Sequence, residues 1–242
     1  MNCFHKETYV NSFFNYDGSV EHRSFIRRVM IIVFSAIKFL FDRTVAIIGL
    51  IITSPLMLVI VVAIKIDSKG PAFFIQKRTG RNGKVINIRK FRTMVANNDI
   101  RDFSKPDRHT RVGTFLRKTS LDELPQLLTI ASGKMSFIGP RPWVTDYYEK
   151  MNDAQRHRYD IRPGLTGLAQ VMGRNNLTIF DKINYDLIYI KNYSLSQDIK
   201  IVFMTIRTVF TQSGADAGKD AIKRELNDLQ EENKHREAEK VI

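Results

Sequence analysis

Between Val45 and Ile64 the chain reads VAIIGLIITSPLMLVIVVAI, a run of twenty residues without a charge. As a helix rising about 1.5 Å per residue, the run is about 30 Å long, the thickness of a bilayer's hydrocarbon core. It is not a secretory leader: it starts too far from the N-terminus, is too long, and precedes no small-residue cleavage pattern. Two features complicate a simple span. Ser54 and Pro55 lie at its middle, and a proline there removes a helical hydrogen bond and crowds the preceding turn. Both flanks are also basic, with Arg27, Arg28, Lys38 and Arg43 before it and Lys65, Lys69, Lys77 and Arg78 after it. A spanning helix carries its positive excess on one side. A helix that enters one leaflet, breaks at Ser54-Pro55 and leaves by the same face accounts for both features. A proline-kinked span and a buried helix of a soluble protein are the alternatives. The backbone group freed by Pro55 needs a partner, which Ser54 or a neighbouring element can supply. Upstream, VMIIVFSAIKFLF (29–41) extends this helix or lies along the interface, with Lys38 snorkelling.

The remainder is strongly basic. The 242 residues carry a net charge of +13; the last 29, from Gly214, contribute −2, which leaves +15 on residues 1–213. Such an excess suits an anionic partner: nucleic acid, an anionic membrane surface, or phosphorylated small molecules. The single cysteine, Cys3, excludes an internal disulfide and any multi-cysteine metal site, and the five scattered histidines show no zinc-ligand spacing.

After Lys65 the pattern becomes that of a mixed α+β domain. PAFFIQKR and KVINIRKFRTM are β-rich runs joined by TGRNGK, where Asn82-Gly83 is a hairpin signal. Residues 96–110 read as a polar surface loop. GTFLRKTSLDELPQLLTIASGKM has helical spacing, with Leu121, Leu124, Leu127, Leu128 and Ala131 on one face. Residues 144–160 read as an amphipathic helix, RPGLTGLAQVMGRNN as a glycine-rich loop, and IFDKINYDLIYIKNY and SQDIKIVFMTIRTVF as helices. The stretch 219–240 is a charged, solvated helix with a thin apolar stripe of Ile222, Leu226 and Leu229.

One pair of acids stands out in this basic body. In TSLDELPQL (119–127), Ser120 and Glu123 match a capping box, with Asp122 and Glu123 favoured in a first helical turn by the helix dipole. That reading is weakened by Pro125 inside the first turns and by the crowd of Arg111, Arg117 and Lys118. The other reading is chemical: adjacent carboxylates can ligate Mg²⁺ together with phosphate oxygens, and a carboxylate can attack phosphorus. In IRKFRTM, a strand would put Lys90 and Arg92 on one face and Arg89 and Phe91 on the other, as phosphate contacts or as a solvated face. GPRP holds Arg141 between two prolines, ready for an anion or simply a rigid turn, and RPGLTG can bring Arg162 and backbone amides to an anion.

Taken in order, the segments FDRTVAIIGLIITSPL, DSKGPAFFIQKRTGRNGKVINIRKFRTM, VGTFLRKTSLDELPQLLTIASGKMSFIGPRP, RYDIRPGLTGLAQVMGR and YDLIYIKNYSLSQDIKIV resemble the bacterial sugar transferases. These are monotopic phosphoglycosyl transferases, and the resemblance covers about residues 41–212. The only departure within it is Lys69 in DSKGP, where proline is common. The resemblance implies transfer of a sugar-1-phosphate from a UDP-sugar to polyprenyl (undecaprenyl) phosphate through an aspartyl-phosphosugar intermediate, with release of UMP. This would be the initiating step of exopolysaccharide, capsule, O-antigen or glycoprotein glycan assembly. It implies Asp122 as nucleophile, Glu123 as Mg²⁺ ligand or helper (Asp122 sharing the metal), Lys90, Arg117 and Asp198 as active-site residues, and Arg141 as a nucleotide or phosphate contact. Arg92 and Arg162 are further candidate phosphate contacts.

The architecture expected is α+β. An N-terminal extension (1–28) precedes a re-entrant helix–break–helix (29–66), then a small mixed cytosolic catalytic domain with amphipathic interfacial helices (67–213) and a charged tail (214–242). The expected place is the cytoplasmic face of a bacterial inner membrane, in what looks like the minimal catalytic form. The expected partners are the UDP-sugar, polyprenyl phosphate, the anionic lipid surface, and a second copy or downstream glycosyltransferases, without nucleic acid. A membrane-tethered nucleic-acid-binding or lipid-binding module would explain the charge but leaves the Asp-Glu pair without a role. A non-catalytic scaffold would leave Lys90, Asp122, Glu123 and Arg141 without one.

Overall fold

The computed structural model describes residues 24–95, 109–173, 177–210 and 223–232. Most of the expected N-terminal extension, nearly all of the expected surface loop, three residues of the glycine-rich loop and the rest of the tail lie outside these.

Ser24–Asp67 forms one 44-residue helix, α1, with Pro55 inside it. The expected break at Ser54-Pro55 is therefore not seen as an interruption of the helix, and the local chemistry says why. Pro55 leaves the carbonyl of Ile51 without its amide, and Ser54 Oγ donates to that oxygen at 2.8 Å. The preceding residue, Thr53, donates its Oγ1 to Gly49 O at 2.7 Å. The Ser54 hydroxyl thus supplies from within the helix what the proline removes.

α1 is the one described helix long and apolar enough to cross a membrane, yet it is also part of the core. Ala46 packs with Ile86, Ile88, Leu127, Ile130 and Met135, and Ile60 and Ile64 pack with Ala72, Phe91 and Leu116. Its other faces leave Ile47, Ile48, Ile51, Ile52, Leu58 and Val59 exposed. Lys38 does not snorkel: it is buried and ion-paired with Asp198.

The hairpin forms where the sequence places it. β1 (Phe73–Thr79) and β2 (Val85–Phe91) pair antiparallel from Phe73↔Phe91 to Thr79↔Val85. Asn82 and Gly83 both adopt positive φ, 55° and 73°, the geometry for which Asn-Gly is favoured. Alternation along β2 buries Ile86 and Ile88 and carries Lys90 inward on the same face.

The stretch expected as one helix is divided into α2 (Arg111–Thr119), a 3-10 turn (Leu121–Gln126) and α3 (Leu127–Ala131). A short parallel pair follows, β3 (Ser136–Ile138) with β4 (Gly164–Thr166). Between them lie α4 (Thr145–Lys150) and α5 (Asp153–Arg156), split because Asn152 and Gln155 form a capping box that starts a new helix. α6 (Leu168–Met172), α7 (Ile179–Lys191) and α8 (Leu195–Phe210) complete the body. The core of this half joins Ile138, Leu168, Tyr185, Tyr189 and Ile201.

Residues 223–232 are helical and form α9. They are not solvated all round, as the sequence leads one to expect. Leu229 is fully buried and Leu226 packs beside it against Trp143, Val144, Tyr147, Ile179 and Ile183. The thin apolar stripe is sufficient because it meets an aromatic cluster on the body.

Candidate active site

Ser120 is the pivot of the site. It ends α2 and begins the 3-10 turn with φ 58° and ψ 15°, a left-handed conformation. A non-glycine residue held there costs roughly 1–2 kcal/mol, and such strain clusters at functional sites. The capping box expected of Ser120 and Glu123 is not made: the Ser120 side chain caps nothing, and the Glu123 amide donates to Ser120 O at 3.3 Å. Pro125 fits within the 3-10 turn instead of interrupting an α-helix. The consequence is that Glu123 is released from capping and turned toward cations. Its Oε1 accepts from Lys90 Nζ at 2.6 Å and from Arg141 Nη2 at 2.8 Å. Asp122 beside it is only 6 % exposed.

Asp122 and Glu123 line a cavity of about 1680 Å³. Its lining falls into three chemical groups. One is charged: Lys90, Arg117 and Arg141 around the two carboxylates. One is apolar, from α1 (Val33, Ile37, Phe41, Val45) and α8 (Ile199, Val202, Ile206). The third is polar and aromatic: Arg78, Trp143, Tyr147, Lys182, Asp186 and Glu225. This third group adjoins the first through the GPRP loop. Arg158 Nη2 donates to Arg141 O at 2.9 Å and to Asp186 Oδ2 at 2.6 Å, while its guanidinium lies 3.6 Å from the Trp143 ring centre. Asp186 is buried, and its Oδ1 has no hydrogen-bond partner among the described residues. Burial pushes the Asp186 carboxyl up, against the pull of the Arg158 guanidinium.

The structure thus brings Lys90, Arg117, Asp122, Glu123 and Arg141 to one cavity. Asp198 lines it too, but its carboxylate is held by Lys38 and by Tyr189 Oη at 2.6 Å. Burial pushes the Asp198 carboxyl up, against the pull of Lys38. Two candidates go elsewhere. Arg92 donates to Lys69 O at 2.9 Å and to Ser68 O at 2.8 Å, tying the chain beyond β2 to the end of α1. Arg162 donates to Ser35 O at 3.3 Å and lies over the Phe39 ring, so it docks the first half of α1. Backbone carbonyls within α1 and just beyond it take both guanidiniums that the sequence offered to phosphate. Sequence reasoning missed the polar–aromatic group. Lys182 and Asp186, four residues apart on one face of α7, were its legible sign: an opposite-charge pair.

As a donor set, Asp122 and Glu123 fit Mg²⁺, which takes one or two carboxylates and completes its shell with phosphate oxygens and water. No cluster of three or more acidic, His or Cys ligands occurs among the described residues, so a cation held here would depend on the substrate's oxygens.

The profile of the bacterial sugar transferase family matches residues 33–212. Over 190 residues the chain is 42% identical to the galactosyl transferase CpsE of Streptococcus agalactiae serotype III, covering 72% of this chain and 42% of that protein. It is 39% identical over 180 residues to the uncharacterized sugar transferase EpsL of Bacillus subtilis, covering 74% of this chain and 89% of EpsL. It is 43% identical over 190 residues to a UDP-glucose:undecaprenyl-phosphate glucose-1-phosphate transferase of Klebsiella pneumoniae, covering 74% of this chain and 41% of that enzyme. The chain therefore spans most of EpsL and less than half of the other two. All the residues around Asp122 and Glu123 lie inside the matched region; α9 lies outside it.

Proposed function

The chain belongs to the bacterial sugar transferase family, and from that premise we propose that it transfers a sugar-1-phosphate from a UDP-sugar to polyprenyl phosphate at a membrane surface. The observation that carries this reading is the composition of one cavity. It holds two adjacent carboxylates set among three cations, with an apolar wall on α1 and α8. A soluble anionic donor and an acceptor with an apolar tail require those surfaces together. The names of relatives such as the Klebsiella enzyme agree with it.

In the proposed reaction, a carboxylate oxygen of Asp122 attacks the β-phosphorus of the UDP-sugar. The bond from that phosphorus to the bridging oxygen breaks, and UMP leaves with the electron pair. The phosphosugar remains on Asp122 until a phosphate oxygen of polyprenyl phosphate attacks the same phosphorus, giving polyprenyl-diphospho-sugar and restoring the carboxylate. Lys90 and Arg141 fix Glu123, and with Arg117 they offset charge as it develops on the transferring group. Mg²⁺ bound by Glu123 and Asp122 would neutralise the diphosphate. The buried position of Asp122 limits access of water to the phosphosugar.

The proposed setting is the cytoplasmic leaflet of a bacterial inner membrane, with α1 immersed from one side. This is supported by the exposed apolar faces of α1 and α8 and by the body lying along α1. The test is Asp122→Asn in purified protein with Mg²⁺ and a panel of UDP-sugars. UMP release falls by several orders of magnitude, and wild-type protein gains the mass of one phosphosugar at Asp122. Full UMP release by the variant excludes Asp122 as nucleophile.

A further inference from the structure

Part of the cavity's lining comes from a helix that the family match does not include. α9 follows the matched region, and it is seated on the body by the burial of Leu226 and Leu229 among Trp143, Val144 and Tyr147. Its Glu225 lines the cavity together with Asp122. Glu225 Oε2 accepts from Tyr147 Oη at 2.6 Å, and its Oε1 is paired with Lys182 Nζ. The helix therefore contributes an acid to the cavity and also fixes two other lining groups, from α4 and α7.

These groups adjoin Asp186, whose buried Oδ1 accepts no hydrogen bond from the described residues. A buried carboxylate oxygen without a donor is costly and rare, so a hydroxyl brought by a ligand would satisfy it. Trp143, Tyr147, Lys182, Asp186 and Glu225 together line this part of the cavity with aromatic rings, acceptors and an ammonium, a set suited to a polyhydroxylated ring. The apolar wall from α1 and α8 is unsuited to one. The polar group also meets the cations at Glu123 through Arg158 and the backbone of Arg141, which places a ring bound there next to a diphosphate at the dyad.

We propose that α9 is a wall of the donor-sugar pocket and that Glu225, directly and through Lys182 and Tyr147, determines which hexose is accepted. This rests on the donor reading of the cavity above. The arrangement explains why an acidic residue on a tail with so little apolar surface is held in place. It also assigns sugar choice to a segment that lies outside the residues matched by the family profile.

The experiment measures UMP release from UDP-glucose, UDP-galactose and UDP-N-acetylglucosamine by full-length wild type, Glu225→Ala, Gln230→Ala and a chain ended at residue 222. Gln230 is the control because it sits on α9 but is exposed and accepts from Lys150 at the edge, away from the cavity lining. The expected result is that Glu225→Ala and the shortened chain change the ratio of kcat/KM between two of the donors by about tenfold or more. Their KM for polyprenyl phosphate stays at the wild-type value, and Gln230→Ala keeps the wild-type ratios. An equal loss for every donor, or a lower unfolding temperature with unchanged ratios, makes α9 a structural brace and overturns the proposal. UMP release from no donor by the wild type removes the donor reading itself, and this proposal with it.

Discussion

Lys38 carries an ammonium group into the protein on a helix whose neighbours Ile37 and Leu40 are open to the surroundings. It is kept there by Asp198 of α8, which Tyr189 also engages. Desolvation of both charges weighs against the pair's attraction, and the upward displacement of the Asp198 carboxyl shows burial prevailing over Lys38. The pair is thus a poor source of stability but an expensive thing to halve. Asp198→Asn is expected to cost about 3–5 kcal/mol by leaving Lys38 buried and unpaired, and Lys38→Met a similar amount. The double variant recovers most of that loss, so a double-mutant cycle on chemical unfolding in lipid nanodiscs gives a large coupling energy. Additive losses would mean that the two residues do not depend on each other. Activity is read alongside. If the pair acts by docking α1 onto α8, the double variant recovers turnover as well as stability.

Among the elements, the β3–β4 junction shows most directly how packing decides a motif's meaning. RPGLTG offered an anion nest, but Gly164 and Gly167 serve a close approach of backbones. A Cβ on Gly164 would lie 2.1 Å from Gly139 N, and one on Gly167 2.2 Å from Gly139 O. Gly164→Ala must displace backbone in the parallel pair and is expected to cost about 1–3 kcal/mol. Gly49 in α1 is the contrast, since its Cβ would meet Leu127 at an ordinary 3.5 Å. Gly49→Ala is expected to be neutral or to stabilise by up to about 1 kcal/mol. Thermal unfolding of the two variants checks both, and equal shifts would contradict the geometry. The hairpin at Asn82-Gly83 and the Asp122-Glu123 anomaly were legible in the sequence because each is decided within a few residues. The fates of Arg92, Arg141 and Arg162 were not, because all three stand beside turn residues or aromatics in the same way. Only the folded chain shows which carbonyl or carboxylate each one reaches. The Ser120 cap was misread for a related reason: a local pattern was overridden by a left-handed turn that also accommodates Pro125. For α9 the sequence showed a stripe but not the aromatic cluster that receives it.

At the scale of the whole molecule, the decisive relation is between α1 and everything after it. The body holds α1 in its first half, where Arg162 reaches Ser35 O and Ser136 donates to Asp42. It holds α1 again at its end, where the Val112 amide donates to Asp67 at 2.9 Å. From Ser35 to Asp67 a straight helix would extend about 48 Å, more than the roughly 30 Å of hydrocarbon in a bilayer. A polar body touching α1 over that whole length leaves no interval for a bilayer to pass between its two ends. The membrane must then meet the remaining faces, where Ile48, Ile51, Ile52, Leu58 and Val59 of α1 are exposed, and where α8 adds Leu195, Ile199 and Phe203. Apolar surface of this extent marks a contact with lipid or protein. The prediction follows from the continuous helix as much as from a broken one, so the proline is not its basis. In a Cys3→Ser background, Arg43→Cys and Lys65→Cys place thiols on exposed positions at either end of the apolar run. Both react with a membrane-impermeant maleimide in inside-out vesicles and neither reacts in intact cells. Labelling of the two positions from opposite sides would make α1 a true span, and the contacts at Ser35, Asp42 and Asp67 could then not coexist in one molecule.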